Sequence, residues 1–272
     1  MIERKYIASL DCTIAEPDKA SDDLQTVVCL HGIGGDDASF LPQLNGLSDE
    51  FRVVAWNMPG YRESAPLTAV TFANWAESLQ QLVVALDDGP VHIIGQSIGG
   101  MIAQDFYHRF PDLVSSLLLV ATTTAFGGKD DSFKIAFLDA RLKPLDQGKN
   151  MREIATEAMP SIVGKDTDDA IVESAINSMA AINPEAYRDV VRCLVTFNRR
   201  SEWAFIGCPV CLVAGSQDSN APAATMHKMA SKLTQAACHE IPGAGHLVNL
   251  EKGDEFNAIA KRFLTTPDNS QS

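Results

Sequence analysis

Basic residues are scarce in this sequence. Lysine and arginine together number 22 against 35 aspartates and glutamates, so the 272-residue chain carries a formal net charge of −13. Nucleic acids and anionic membrane surfaces bind proteins through clustered Lys and Arg. We therefore expect neither as a partner, and solubility is the simplest explanation of the charge.

Long apolar runs are also lacking. No stretch of the sequence approaches the roughly 20 consecutive apolar residues that span a bilayer. The opening, MIERKYIASLDCTI, contains a short basic stretch, but the sustained apolar run of a signal peptide does not follow it. The sequence therefore predicts a chain without a membrane segment or a secretory leader.

Cysteine is present only as six scattered residues, without the spacing of a disulfide framework or a zinc site. Cys208 and Cys211 have a C-x-x-C spacing, but they fall in an apolar, strand-like run. A redox thiolate would be stabilised at a helix start instead. We predict free thiols in a reducing, cytoplasmic compartment, and neither a metal nor an organic cofactor.

Strand and helix patterns alternate through most of the chain. Continuous apolar runs such as TVVCLHG, FRVVAWNMPG and VSSLLLVA are typical of strands buried on both faces, and helical patterns lie between them. Alternation with short connections predicts an α/β fold, with a mostly parallel sheet of about eight strands and helices on both faces.

The alternation stops after about residue 125 and resumes near residue 206. The intervening stretch has helical patterns and no convincing strand. We therefore predict one α/β core formed by residues 1–126 and 206–272, with a helical cap inserted at 127–205.

A glycine-flanked serine lies where one predicted strand meets the next helix, in VHIIGQSIGGMIAQ. Ser97 fits the pattern G-x-S-x-G, in which the serine occupies a strained strand-to-helix turn and its hydroxyl is exposed above the sheet. Side chains at Gly95 and Gly99 would collide with the neighbouring strand and helix. The backbone N–H of Ile98 opens the helix and can donate to an oxyanion.

A nucleophilic serine needs a base, which in turn needs an orienting acid. His246 follows the last predicted strand in a loop with two glycines, and Asp218 follows the buried strand CPVCLVAG. Together with Ser97 they give the chain order serine, acid, histidine. The other histidines fall in predicted strands or helices or in another glycine-rich motif: His92, His239, His108, His227 and His31.

That other motif, LHGIGG, ends an earlier buried strand. A glycine-rich turn there can direct a backbone N–H at the same oxyanion, and we predict the amide of Ile33 as the second donor beside Ile98. His31 is expected to brace this loop by hydrogen bonding.

Five motifs in this order, HGIGG, NMPGYRES, GQSIGG, AGSQD and GAGHLVNLE, resemble those of the α/β-hydrolase fold enzymes. The resemblance covers the chain apart from the helical insertion, which stands where that family carries its cap. Within the family the chain is most similar to the 3-oxoadipate enol-lactone hydrolases and related small esterases. It departs at Asn57 and Arg62, where the family often has Asp and Gly.

The resemblance implies a serine hydrolase that cleaves a small carboxylic ester or lactone through an acyl-enzyme on Ser97. His246 would be the base and Asp218 the orienting acid. We expect a small-molecule substrate and a monomer or homodimer. Trp203 and Phe205, near the return from the cap, are candidate pocket walls.

The cap region and its edge also carry cations that could bind a substrate carboxylate, although a solvated helix face is the simpler interpretation. They are Arg141, Lys143, Arg152, Arg188, Arg192, Arg199 and Arg200.

Other functions remain open on the same residues. They are a C–C bond hydrolase of the meta-cleavage product type, a cofactor-free perhydrolase or haloperoxidase, and a non-hydrolytic small-molecule receptor that retains the three residues.

Overall fold

The computed structural model describes residues 2–17, 24–127 and 130–265. The remaining residues of the predicted core and cap (1, 18–23, 128–129 and 266–272) lie outside the described part. The described residues contain one eight-stranded sheet, with strands β1 Ile2–Ile7, β2 Leu10–Ala15, β3 Thr26–Leu30, β4 Arg52–Trp56, β5 Val91–Gln96, β6 Val114–Val120, β7 Val210–Gly215 and β8 Ala236–Ile241.

Most of the helices alternate with the strands along the chain, as the sequence pattern predicts. They are α1 Leu41–Gly46, α2 Phe72–Leu86, α3 Ile98–Arg109, α4 Ser132–Asp146, α5 Met151–Ala158, α6 Asp169–Ala180, α7 Pro184–Leu194, α8 Ala223–Ala230, α9 Val248–Glu251 and α10 Gly253–Leu264. Within the described residues, no helix has the length and apolar character to cross a membrane.

The order of the strands across the sheet is β1-β2-β4-β3-β5-β6-β7-β8. β2 pairs antiparallel with β1 and β4, and all pairs from β4 to β8 are parallel. The chain leaves β3 toward β4 on one side and later enters β5 on the other side. Ligands of open α/β sheets bind outside the carboxyl ends of the strands at such a reversal, so the fold directs attention to the loops after β3 and β5.

Each central strand contributes to two apolar layers because successive side chains point to opposite faces. In β3, Val28 and Leu30 pack in the layer that contains α2 and α3. Val27 and Cys29 pack in the layer that contains α1 and α10. The predicted α/β fold, with a mostly parallel sheet and helices on both faces, is confirmed.

Four helices, α4 to α7, lie between β6 and β7, in the region predicted as the cap. Three of them bury side chains, including Met151 in α5, Ile176 in α6 and Val190 in α7. The isolated bridge between Ala125 and Asn198 marks where the chain leaves the core and returns to it. The helical content agrees with the sequence pattern, while a separate cap domain at 127–205 stays a prediction.

Candidate active site

Ser97 lies on a sharp turn between β5 and α3, at the strand reversal. Its backbone angles, φ 54° and ψ −117°, are strained for a residue with a side chain. The flanking glycines permit this turn. A Cβ on Gly95 would lie 2.7 Å from the Cα of Gly100, and a Cβ on Gly99 would lie 2.0 Å from the carbonyl oxygen of Leu30. Only glycine therefore fits on either side of the serine.

Three predicted site residues meet at the carboxyl edge of the sheet. The Oγ of Ser97 is 3.0 Å from Nε2 of His246, and Nδ1 of His246 is 2.7 Å from Oδ2 of Asp218. The carboxylate of Asp218 accepts a hydrogen bond from Nδ1–H of His246, which leaves Nε2 unprotonated and able to accept a hydrogen bond from the serine O–H. The side chains come from loops after β5, β7 and β8, and they form one continuous series of hydrogen bonds.

Asp218 is buried, and both of its oxygens have partners. The backbone N–H groups of Asn220 and Ala221 donate to Oδ1 at 2.7 and 3.1 Å, while His246 donates to Oδ2. Burial by itself would raise the pKa of Asp218. The hydrogen bond and the charge of His246, with the two amides, outweigh that effect and hold the pKa below its usual value. The carboxylate is therefore ionised at neutral pH.

The loop after β3 is fixed by hydrogen bonds from its own residues and from the loop after β4. His31 donates from Nδ1 to the carbonyl of Gly32 at 2.8 Å and accepts from the N–H of Met58 at Nε2, 2.9 Å away. Burial lowers the pKa of His31, so the ring stays neutral and braces the loop, as expected. The hydroxyl of Tyr61 donates to the carbonyl of Ile33 at 2.8 Å.

This loop approaches the serine turn closely. A Cβ on Gly32 would lie 2.2 Å from Oε1 of Gln96 and 3.4 Å from the Cβ of Ser97. Ile33 lines the same cavity as Ser97. Ile98 is the first residue of α3, where N–H groups have no acceptor within the helix. Both predicted oxyanion donors thus lie beside the serine, and their role stays a prediction.

A small cavity of about 60 Å³ opens beside Ser97. Besides the serine and the histidine, its lining is largely apolar. The lining residues come from both the predicted core and the cap region. None of the lining residues is Asp, Glu, Lys or Arg. The apolar side chains come from the β3 loop, the histidine loop and the cap region: Ile33, Leu247, Met159, Ile162, Ala175 and Met179.

The prediction that Trp203 and Phe205 line the pocket is wrong. Trp203 is fully buried, and its indole N–H donates to the carbonyl of Met229 at 2.9 Å. Phe205 is 79 % exposed. Neither is among the residues that line the cavity beside Ser97. Trp203 is a core residue under the chain's return from the cap, and Phe205 points into solvent.

The cations of the cap region likewise lie away from this cavity. Arg152, Arg188 and Arg199 pair with Glu173, Asp146 and Asp105, respectively. None of the seven candidates is among the residues that line the cavity. The paired arginines are occupied by carboxylates of the protein itself.

The two departures from the family pattern have clear structural partners. The side chain of Asn57 accepts from the N–H of Asp37 at 3.0 Å and donates to Asp11. Arg62 donates from Nε to the buried carboxylate of Asp36 at 2.8 Å. Arg62 has a φ of 50°, a conformation that favours glycine. Glycine, which the resemblance leads us to expect at that position, adopts this conformation without strain.

Metal-binding side chains and the C-x-x-C pair are the other candidates for chemistry among the described residues. No group of three or more His, Cys, Asp or Glu side chains there could hold a metal ion. Cys211 is buried, and this raises the pKa of its thiol to about 12. No disulfide joins Cys208 to Cys211 in the structure.

Sequence reasoning did not single out Glu251 or Gln96, which contact the loop of His246. It also did not identify the four cap residues that line the cavity. Ala175 and Met179 lie four residues apart on α6 and so on one helix face, a signal that was present in the sequence. Glu251 is an acidic residue at the end of the apolar stretch GAGHLVNLE.

The fold and the site together define a class: α/β proteins that carry a serine, a histidine and an acid at the carboxyl edge of a mostly parallel sheet. Residues 25–253 match a sequence model of the alpha/beta hydrolase fold family, and the chain belongs to that family.

Individual relatives are more distant. The chain is 28% identical over 246 residues to the dihydrolipoyllysine-residue acetyltransferase component of an acetoin cleaving system from Cupriavidus necator. That match covers 88% of this chain and 63% of the relative, so this chain spans less than two thirds of that protein. It is also 28% identical to a pimeloyl-[acyl-carrier protein] methyl ester esterase from Chromobacterium violaceum, over 88% of this chain and 94% of the relative.

Among solved structures, the enol-lactonase from Burkholderia xenovorans LB400 superposes with a TM-score of 0.85. The two chains are 20% identical, and the match covers 97% of this chain and all of the other. At that identity the likeness establishes the fold. The expected resemblance to the α/β-hydrolase enzymes is confirmed.

Proposed function

We propose that the protein is a serine hydrolase that cleaves a small carboxylic ester or lactone. The observation that carries this proposal is the continuous series of hydrogen bonds from Ser97 through His246 to Asp218, next to a small, largely apolar cavity. Relatives that include an esterase support the hydrolase class.

In the proposed reaction, Nε2 of His246 takes the Ser97 proton as Oγ attacks the substrate carbonyl carbon. The carbonyl electron pair moves to oxygen, and the amides of Ile33 and Ile98 stabilise that oxyanion. When the tetrahedral intermediate collapses, the alcohol leaves with the proton from His246, and the acyl group stays on Oγ. Water then gives a proton to His246 as its oxygen attacks the acyl carbon. When this second tetrahedral intermediate collapses, the bond between the acyl carbon and Oγ breaks, Oγ of Ser97 takes the proton back from His246, and the acid is released. Asp218 stabilises the imidazolium in both halves.

The cavity supports a short, apolar acyl group. Its volume of about 60 Å³ is well below the roughly 300–1,000 Å³ typical of ligand pockets. Its lining contains no Lys or Arg, so a substrate carboxylate in this cavity would lack a lysine or arginine counter-ion. We therefore favour short-chain esters and small unsubstituted lactones over lactones that bear a carboxylate.

Covalent labelling tests the nucleophile. A fluorophosphonate forms an O–P bond with an activated serine and releases fluoride. Intact mass spectrometry with peptide mapping is expected to find one adduct, on Ser97, that is missing in Ser97→Ala. A folded wild-type protein that gains no adduct, or an adduct that persists in Ser97→Ala, would contradict the proposal.

A substrate panel then tests the bond. p-Nitrophenyl esters of increasing acyl length are expected to give the highest kcat/KM at two to four carbons. Three further assays cover the alternatives: halogenation with acetate and peroxide, cleavage of a vinylogous diketone, and ligand binding without turnover. Turnover of the diketone or of peroxide with all esters inert would overturn the ester and lactone assignment.

A further inference from the structure

Glu251, at the end of α9, is a buried acid outside the Ser97–His246–Asp218 series. The residue is only 8 % exposed. Four groups donate hydrogen bonds to its two carboxylate oxygens. Oε2 accepts from Gly164 N at 2.7 Å, Thr167 Oγ1 at 2.7 Å and Gly245 N at 2.9 Å, and Oε1 accepts from Leu247 N at 2.9 Å. An ionised carboxylate has only acceptor sites and fits this set of donors.

The donors come from two distant parts of the chain. Gly245 and Leu247 flank His246 on either side. The other two donors lie in residues 161–167, the connection between α5 and α6, which we call the bridge segment. Glu251 thus joins the loop that carries the histidine to the cap region.

The backbone of His246 forms hydrogen bonds with the bridge segment on one side and with Gln96, next to Ser97, on the other. Its N–H donates to the carbonyl of Ile162, in the bridge segment, at 2.7 Å. Its carbonyl accepts from Nε2 of Gln96 at 2.9 Å. A Cβ on Gly245 would lie 2.5 Å from the nitrogen of Gly164 and from the carbonyl oxygen of Ile162. The two backbones are therefore in direct contact at the histidine.

The bridge segment also reaches the loop of the acid. The N–H of Lys165 donates to Oε1 of Gln217 at 2.8 Å, and the side chain of Asn220 donates to the carbonyl of Ser161 at 3.1 Å. Gln217 and Asn220 stand on either side of Asp218. One short piece of the cap region thus contacts both loops that carry partners of Ser97.

We propose that Glu251 is a positioning residue that fastens the His246 loop to the bridge segment and so holds the imidazole in line with Ser97. The inference rests on the proposed function. Misplacing a catalytic group by about 1 Å can cost roughly 100-fold in rate. The cap region then acts on the chemistry itself, in addition to lining the acyl cavity.

Glu251→Gln is the direct test because it preserves size and replaces one acceptor oxygen with an NH₂ group. That group would face one or more N–H or O–H donors and cannot accept from them. We expect kcat on a short p-nitrophenyl ester and the rate of fluorophosphonate labelling at Ser97 to fall about 10- to 100-fold, with KM changed less than about threefold. Glu255→Gln, an exposed acid on α10, is the matched control and should behave as wild type.

The outcomes separate the two proposals. Wild-type protein that neither turns over esters nor labels at Ser97 would refute the proposed function itself. Active wild-type protein beside a Glu251→Gln variant with unchanged kcat and labelling rate would overturn the positioning role, even if its Tm falls. Both rates are measured well below the Tm of the variant, so that loss of folded protein does not contribute.

Thr167 supplies a milder pair should Glu251→Gln fail to fold. Thr167→Val removes one donor to Glu251 at nearly constant shape, whereas Thr167→Ser retains the hydroxyl. We expect kcat and the labelling rate to fall two- to tenfold in Thr167→Val and to stay near wild type in Thr167→Ser. Equal rates in the two variants would refute the coupling between the bridge segment and His246.

Discussion

Two parts of the cap region are attached to the core in different ways. The bridge segment contacts the loops of His246 and Asp218 through backbone hydrogen bonds, a close approach at Gly245 and the buried Glu251. α4, by contrast, has no buried residue among its 15. Its Phe133 and Ile135 are 56 % and 58 % exposed.

The contacts of α4 are mainly between side chains that are partly exposed. Phe126, which follows β6, touches the rings of Phe133 and Phe137 at centroid distances of 5.4 and 4.8 Å. Arg188 of α7 pairs with Asp146 at the end of α4. Such apolar and surface ionic contacts tolerate small displacements, whereas a buried backbone contact between glycines does not.

α6 is linked to the core at a different place, the loop after β3. The hydroxyl of Ser178 donates to the buried carboxylate of Asp36 at 2.8 Å. Asp36 caps the first helical turn after this loop and also pairs with Arg62. The cap region therefore has two parts that are held differently. The bridge segment and α6 form buried hydrogen bonds with the loops of the candidate site, whereas α4 makes contacts between partly exposed side chains.

Placing a side chain between the histidine loop and the bridge segment should have the largest effect, because it forces these two backbones apart. In Gly245→Ala the new methyl group would lie 2.5 Å from three backbone atoms of residues 162–164, so the loops must separate. We expect kcat/KM to fall about 100-fold and the free energy of unfolding to fall by about 1–3 kcal/mol, measured by ester hydrolysis and urea denaturation.

The matched control for that substitution is Gly207→Ala. A Cβ there meets only the hydroxyl of Tyr107, at 3.4 Å. It should leave kcat/KM within about twofold of wild type. Equal losses in the two variants would show that the close approach at Gly245 has no special bearing on the site.

The acyl cavity provides a second, smaller contrast between α6 and α4. Met179 of α6 is buried and lines the cavity, so Met179→Ala should enlarge it and shift the preferred acyl chain upward by two to three carbons. The truncation should also cost about 2–5 kcal/mol of stability. Leu142→Ala in α4 is expected to leave the ranking of p-nitrophenyl esters unchanged, and an equal shift in both would place α4 at the substrate.

Much of this site could be predicted because its signals are local. Ser97, Asp218 and His246 each follow an apolar strand pattern, and glycines flank Ser97 and precede His246. A parallel sheet brings the carboxyl ends of its strands to one edge. Residues in the loops that follow these ends can therefore be predicted to lie close together. The structure places them 2.7 and 3.0 Å apart along the series.

The pocket and the positioning contacts could not be predicted because their partners are remote in sequence. Gly164 lies 87 residues from the Glu251 that accepts its hydrogen bond. Locally, Glu251 is only an acid in an apolar stretch. Trp203 fits a pocket wall and a core residue equally well by pattern, and only its packing against the region of Met229 decides between them.

The link between Ser178 and Asp36 should have a moderate effect. Ser178→Ala removes one donor from a carboxylate that retains Arg62 and the N–H of Ala38. The expected loss is about 1–3 kcal/mol in unfolding free energy and two- to fivefold in kcat/KM. Ser174→Ala, on the same helix, is the control. If the two variants are equal in both measurements, this link does not contribute to the attachment of α6.

The exposed face of α4 should give the smallest effect. Ile135→Ser and Ile176→Ser are the same change at the interior of two cap helices, so helix propensity contributes equally. Ile176 is 7 % exposed and packs in the core, whereas Ile135 is 58 % exposed. We expect Ile176→Ser to cost about 2–4 kcal/mol and Ile135→Ser less than about 0.5 kcal/mol, with kcat/KM unchanged in the latter. Similar losses in urea denaturation would mean that α4 is held as firmly as α6. The contrast between the two parts of the cap region would then have to be abandoned.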